Sequence, residues 1–120
     1  MSIPAFLREL STSLVTLAEE APDRMTAAQL LFFVLAAEAD LRGVPTTFTA
    51  IREGASEAVN RSMHSTYRQL LEPSRTFPKA LGWLRREENP LDNREKFLRL
   101  TTKGRAVVGK LVDPMERETA

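Results

Sequence analysis

The chain contains no cysteine and only one histidine among its 120 residues. Disulfide scaffolds and thiol nucleophiles are excluded, and so are zinc sites assembled from Cys and His. Its longest apolar run, residues 30–37, is far shorter than the roughly 20 residues that a membrane-crossing helix requires. The opening MSIPAFLREL lacks the basic-then-apolar layout of a secretory signal. A cytoplasmic protein that makes no use of a membrane is therefore expected. Acidic residues are plentiful, yet none pairs with a recognisable nucleophile or base, no glycine-rich loop is suited to cradling phosphate, and the histidine has no partner. An enzyme is not expected, and no cofactor, metal or catalytic residue is implied. Internal repeats and low-complexity tracts are also missing.

What is present is an ordinary globular composition, 42% hydrophobic and 28% charged, sized for one domain over residues 1–120. The formal net charge of +1 hides an uneven distribution. Residues 1–60 carry 4 basic and 8 acidic side chains, residues 61–105 carry 11 and 5, and residues 106–120 carry 2 and 3. Local charge sets the field within a Debye length of ~8–10 Å, so the middle segment can present a cationic face from a nearly neutral protein. A solvated basic surface is the plain alternative.

Periodicity predicts a mainly helical chain. Over residues 4–21, Phe6, Leu7, Leu10, Leu14, Leu17 and Ala18 recur at helical spacing as one apolar stripe. Pro22 and Asp23 interrupt it. Thr26 and Gln29 have the spacing of a capping box, and the helix they open reads apolar nearly all round to about Leu41, as a helix in the middle of a core would. Gly43 and Pro45 end it. Thr46 and Thr47 can cap a short helix over 48–53 with Ala50 and Ile51 facing inward, and Gly54 supplies the turn. A further helix is expected from Ser56 or Asn60 to Leu71, with Val59, Met63, Tyr67 or Thr66, and Leu70 inward, stopped by Pro73. Residues 78–82 have the proline-first, glycine-last layout of one more helical turn.

Past Gly82 the period becomes that of strands. Residues 83–87 and 96–100 form a hairpin with a long, basic-tipped loop, with Leu98 and Leu100 on one face and Phe97 and Arg99 on the other. Thr101 caps a last helix through Val107, Val108, Leu111 and Val112, which Pro114 is expected to limit. Arg99 and Arg105 read as surface charges. This order, with a helix-turn-helix at about 47–71 and a hairpin at about 83–101, is that of a winged helix-turn-helix domain.

Specific residues then support a family. Residues 89–104, NPLDNREKFLRLTTKG, resemble the wing and exit of the MarR-type (multiple antibiotic resistance regulator) transcription factors, in which D-P-x-D-x-R leads into a strand ending L-T-x-x-G. Asp92, Arg94, Leu100, Thr101 and Gly104 match, while Asn89 stands where the family has its first aspartate. Ser65 to Leu70 is similar to the S-T-V-x-R-x-L of a recognition helix, and Met25 to Leu30 to an L-T-x-x-Q-x-x-x-L opening. The likeness covers about residues 5–112. The stretch 73–81 is longer than the family's usual link, and the terminal helices are short for proteins that dimerise through them.

The resemblance implies a sequence-specific regulator of transcription that binds double-stranded DNA. The recognition helix would enter the major groove with Arg61, His64, Ser65, Thr66, Tyr67 and Arg68 as contact candidates. Arg68 can pair with O6 and N7 of guanine or, alternatively, with Glu72 four positions on. Tyr67 can meet bases or pack in the core. Arg94 at the wing tip would read minor-groove width, with Asp92 shaping the tip. Lys96, and after it Arg75, Lys79, Arg85 and Arg86, are phosphate candidates. The terminal apolar sets (Phe6, Leu10, Leu14, Leu17; Val107, Val108, Leu111, Met115) either close the core or pack on a second copy, and the resemblance favours a homodimer. It also allows an unidentified small-molecule effector. The other function class is a winged-helix protein-interaction module that reads no bases.

Overall fold

The computed structural model describes residues 2–20, 26–54, 57, 67–92 and 94–119, with side chains as far as Leu111. It is mostly helical with a small three-stranded antiparallel sheet. Apart from Glu57, the helix expected to begin at Ser56 or Asn60 lies outside the described residues as far as Thr66. Arg61, His64, Ser65 and Thr66 lie there with it.

Helix α1 spans Ile3–Glu20 and α2 spans Ala27–Leu41. The capping box opens α2 as expected: the Thr26 hydroxyl accepts the Gln29 amide at 3.1 Å, and the Gln29 side chain accepts the Thr26 amide at 2.8 Å. Two of the exposed donors at the helix start are thereby satisfied. At the far end Gly43 takes φ +80°, and the amides of Gly43 and Val44 bond back to the Asp40 and Ala39 carbonyls. Phe32, Phe33, Ala36 and Ala37 are buried at the centre of the core. The burial is not all round, however. Leu31, Val34 and Leu41 share an uncovered stripe, because a 3.6-residue period places them on one side of α2.

Strand β1 (Thr46–Thr47) runs directly into α3 (Phe48–Glu53). The Thr47 hydroxyl accepts the Ala50 amide at 3.1 Å and caps α3. Ile51 faces inward as expected, but Ala50 is exposed, since this short helix covers the core with a single position. Residues Tyr67–Leu70 form a 3₁₀ turn that carries Leu70 into the core. Strands β2 (Leu84–Glu87) and β3 (Phe97–Leu100) pair antiparallel with Leu84 opposite Leu100 and Glu87 opposite Phe97. The expected hairpin gains β1 as a third strand, giving the order β1-β3-β2. Leu98 and Leu100 are buried, whereas Phe97 and Arg99 are half-buried on the other face.

Residues 78–82 do not form the expected helical turn. The amides of Leu81, Gly82 and Trp83 instead donate to the carbonyls of Gln69, Leu71 and Leu70 at 2.7, 2.9 and 3.0 Å. Those bonds lash the segment to the 3₁₀ turn in a conformation that requires φ +71° at Gly82. The last helix, α4, spans Thr102–Thr119 and so runs past Pro114. Proline removes one backbone donor there, a loss that the bonds on either side of it can carry at a stability cost.

Thr101 and Gly104 explain the L-T-x-x-G spacing physically. The Thr101 amide donates to the Trp83 carbonyl at 3.1 Å, its hydroxyl donates to the Gly82 carbonyl at 2.5 Å, and the same hydroxyl accepts the Gly104 amide at 2.9 Å. One residue thus caps α4 and fastens it to the start of β2. Gly104 lies so close to that point that a Cβ would stand 2.0 Å from the Trp83 carbonyl oxygen.

Candidate nucleic-acid interface

Three elements bring the cationic residues together. Between α3, the 3₁₀ turn and the β2–β3 hairpin lies a concavity of about 300 Å³ bordered by Tyr67, Arg68, Arg86, Arg94 and Lys96. Four of the eight residues singled out from the sequence, Tyr67, Arg68, Arg94 and Lys96, therefore share one surface. The other four lie outside the described residues.

Tyr67 packs against the core, with its hydroxyl left at the edge of the concavity. Its ring stacks on Phe48 with centroids 4.2 Å apart and lies 5.7 Å from Phe32, so its apolar body belongs to the core. The hydroxyl accepts the Arg86 Nη2 donor at 3.3 Å. The Arg86 guanidinium also stands 6.0 Å from the ring centroid, within reach of a cation–π attraction. A neutral phenol orients this cation without cancelling its charge. Arg68 is exposed and makes no ion pair among the described residues, so the alternative of a bridge to Glu72 is not formed.

The hairpin loop is shaped by carboxamide and carboxylate oxygens. Asn89 Oδ1 accepts the Leu91 amide at 3.0 Å, and Asp92 Oδ1 accepts the Arg94 amide at 2.9 Å, the tip-shaping role expected of Asp92. The Arg94 side chain is 93% exposed, with its Nε 3.6 Å from Asp92. The Thr49 hydroxyl donates to the Glu95 carboxylate and ties the loop to α3. Lys96 Nζ meets Glu88 at 2.5 Å. Exposed pairs of this kind are worth only about 0–1 kcal/mol each, so a phosphate can displace the carboxylates at low cost.

Arg99 differs from the surface charge expected of it, whereas Arg105 remains exposed as expected. Asp40, whose side chain is 1% exposed, accepts Arg99 Nε at 2.6 Å and the Leu100 amide at 2.9 Å, with Arg105 at 3.7 Å. Arg99 also reaches Glu87 at 2.9 Å. The hydrogen bond to Glu87, and after it that to Asp40, raises the pKa of this guanidinium above its ordinary value. The network joins α2 to both strands of the hairpin. Its signal in the sequence is Asp40 itself, a carboxylate in the last turn of an apolar helix, where the helix dipole disfavours negative charge unless cations lie nearby.

Among the described residues no cluster of His, Cys, Asp and Glu is arranged to hold a metal, and no helix is long and apolar enough to cross a membrane. Compared with known protein families, curated proteins and solved structures, the chain shows no match.

Proposed function

We propose that this chain is a winged helix-turn-helix regulator of the MarR type that binds duplex DNA sequence-specifically. The observation that carries this reading is the convergence of Arg68, Arg86, Arg94 and Lys96 on one concavity between the 3₁₀ turn and the hairpin. Arg68 is unencumbered and can reach base edges from the end of the recognition segment. Arg94, held out at a loop tip by Asp92, suits the minor groove, where a narrow width concentrates negative potential. Lys96 and Arg86 would neutralise phosphates.

Selection from random duplexes with the wild type, Arg68→Ala and Arg94→Ala tests the reading. The wild type enriches one motif. Arg68→Ala loses discrimination at one base pair by about 1–3 kcal/mol. Arg94→Ala keeps the motif but binds every sequence more weakly. If the wild type enriches no motif, base reading is excluded and the interaction-module reading takes its place.

A homodimer is part of the proposal, and α1 supports it. Its inward side, marked by Ala5, Glu9, Ser13 and Leu17, is mostly small or polar. Ile3, Phe6, Leu7, Leu10 and Leu14 form an exposed stripe along the other side. So extended an apolar face on one helix is what a second copy would cover. Leu10→Asp is expected to weaken self-association at least tenfold in sedimentation equilibrium. A wild type that is monomeric at every concentration contradicts the dimer.

A further inference from the structure

A second concavity, of about 330 Å³, opens on the other side of Arg68 and Arg86. We propose that it is a phosphate site for the sugar–phosphate backbone of the same duplex, an inference that rests on the function proposed above. Arg68, Arg85 and Arg86 border it together with the hydroxyl-bearing Ser74 and Thr76, over an apolar floor that includes Phe77.

The charge balance favours an anion. Arg68 makes no ion pair among the described residues, and Arg86 is held by the neutral Tyr67 phenol. Arg85 lies 3.7 Å from Glu87, but that carboxylate is engaged more closely by Arg99 at 2.9 Å, so it neutralises Arg85 only in part. Glu72 is the one carboxylate among the residues bordering the concavity. Planar guanidinium forks match phosphate oxygens two at a time, and hydroxyls can add neutral donors.

The wall is also preformed. The Ser74 amide donates to the Phe77 carbonyl at 3.1 Å, and the Phe77 amide donates to the Ser74 hydroxyl at 3.2 Å. The three bonds from 81–83 to 69–71 close the base of the same segment. Little ordering is left for a ligand to impose. Because Arg68 and Arg86 border both concavities, the two form one continuous cationic track. A polyanion spanning both uses that continuity, whereas a small anion in one does not.

The test is fluorescence anisotropy of a labelled mixed-sequence duplex across a salt series, with the wild type, Arg85→Ala, Arg85→Lys and Arg8→Ala. Trp83 emission checks that each variant is folded. One lost phosphate contact makes the slope of log affinity against log salt shallower by about 0.9. That change is expected for Arg85→Ala, with a several-fold loss of affinity at low salt. Arg85→Lys should keep the wild-type slope, as should Arg8→Ala, an exposed α1 position that borders neither concavity. Equal slopes for the wild type and Arg85→Ala, with duplex binding intact, overturn the second site alone. Absence of duplex binding in every protein overturns both this inference and the function it rests on. A parallel NMR titration with inorganic phosphate distinguishes the source: saturable shifts at Arg85 without any effect of Arg85→Ala on duplex binding reassign the concavity to a free anion and overturn the proposal.

Discussion

Replacing Gly104 with alanine is expected to destabilise the fold by about 3 kcal/mol, at the upper end of what one added methyl group does in a tightly packed place. The new Cβ would stand 2.0 Å from the Trp83 carbonyl oxygen and 2.9 Å from its carbon. Both are backbone atoms, so no side-chain rotation relieves the clash. The backbone cannot move freely either, because the same carbonyl accepts the Thr101 amide and Thr101 caps the helix that carries Gly104. Relief requires α4 to lift from the start of β2 and expose Val107, which is now 2% accessible. For a domain of this size a loss of that order lowers the melting temperature by roughly 10 °C. Trp83 is fully buried, 4.9 Å from Phe33, and is the only tryptophan, so its emission reports the transition directly. A change below about 0.5 kcal/mol would show that α4 is not pressed against β2.

Replacing Asp40 with alanine should cost about 2–3 kcal/mol. The substitution leaves the buried Leu100 amide without its acceptor, and an unsatisfied buried donor alone costs roughly 1–3 kcal/mol. It also strips Arg99 of its closest partner. Arg99 retains Glu87 and some contact with water, so the full cost of stranding a buried charge is not reached. Asp40→Asn, which keeps an acceptor for Leu100 but not the charge, should lose about half as much. Chemical denaturation of the three proteins measures both steps. Equal stability of Asp40→Ala and the wild type would mean that the network does not hold the hairpin.

These two positions mark where sequence reasoning succeeds and where it stops. Local chemistry was readable: Thr26 with Gln29, Thr47 before α3 and Thr101 before α4 each announced a helix start, because a cap needs only neighbours in the chain. The alternation of Leu98 and Leu100 gave the buried face of β3 for the same reason. Features made by distant partners left weaker traces. Two threonines are too few for strand periodicity, so β1 was recognisable only from its pairing with Phe97 and Leu98. The backbone bonds that shape 78–82 come from the 3₁₀ turn, and no pattern within the segment encodes them. The stripe of α1 was visible but not its direction, since hydrophobic spacing identifies a face without saying whether it meets the chain's own core. Arg99 looked like any strand arginine until Asp40, 59 positions away, was placed against it. In the candidate site, Arg68, Arg94 and Lys96 were named through the resemblance to a family, whereas the orienting contact between Arg86 and Tyr67 follows only from the fold.

The central claim, that duplex DNA lies across the track between the 3₁₀ turn and the hairpin, is tested most directly by NMR on uniformly nitrogen-15-labelled protein titrated with duplex. Signals of Tyr67, Arg68, Arg86, Arg94, Glu95 and Lys96 should shift together and saturate, while those of exposed α1 residues such as Arg8 stay in place. Shifts confined to α1 and α4, or a spectrum that duplex leaves unchanged, would contradict it.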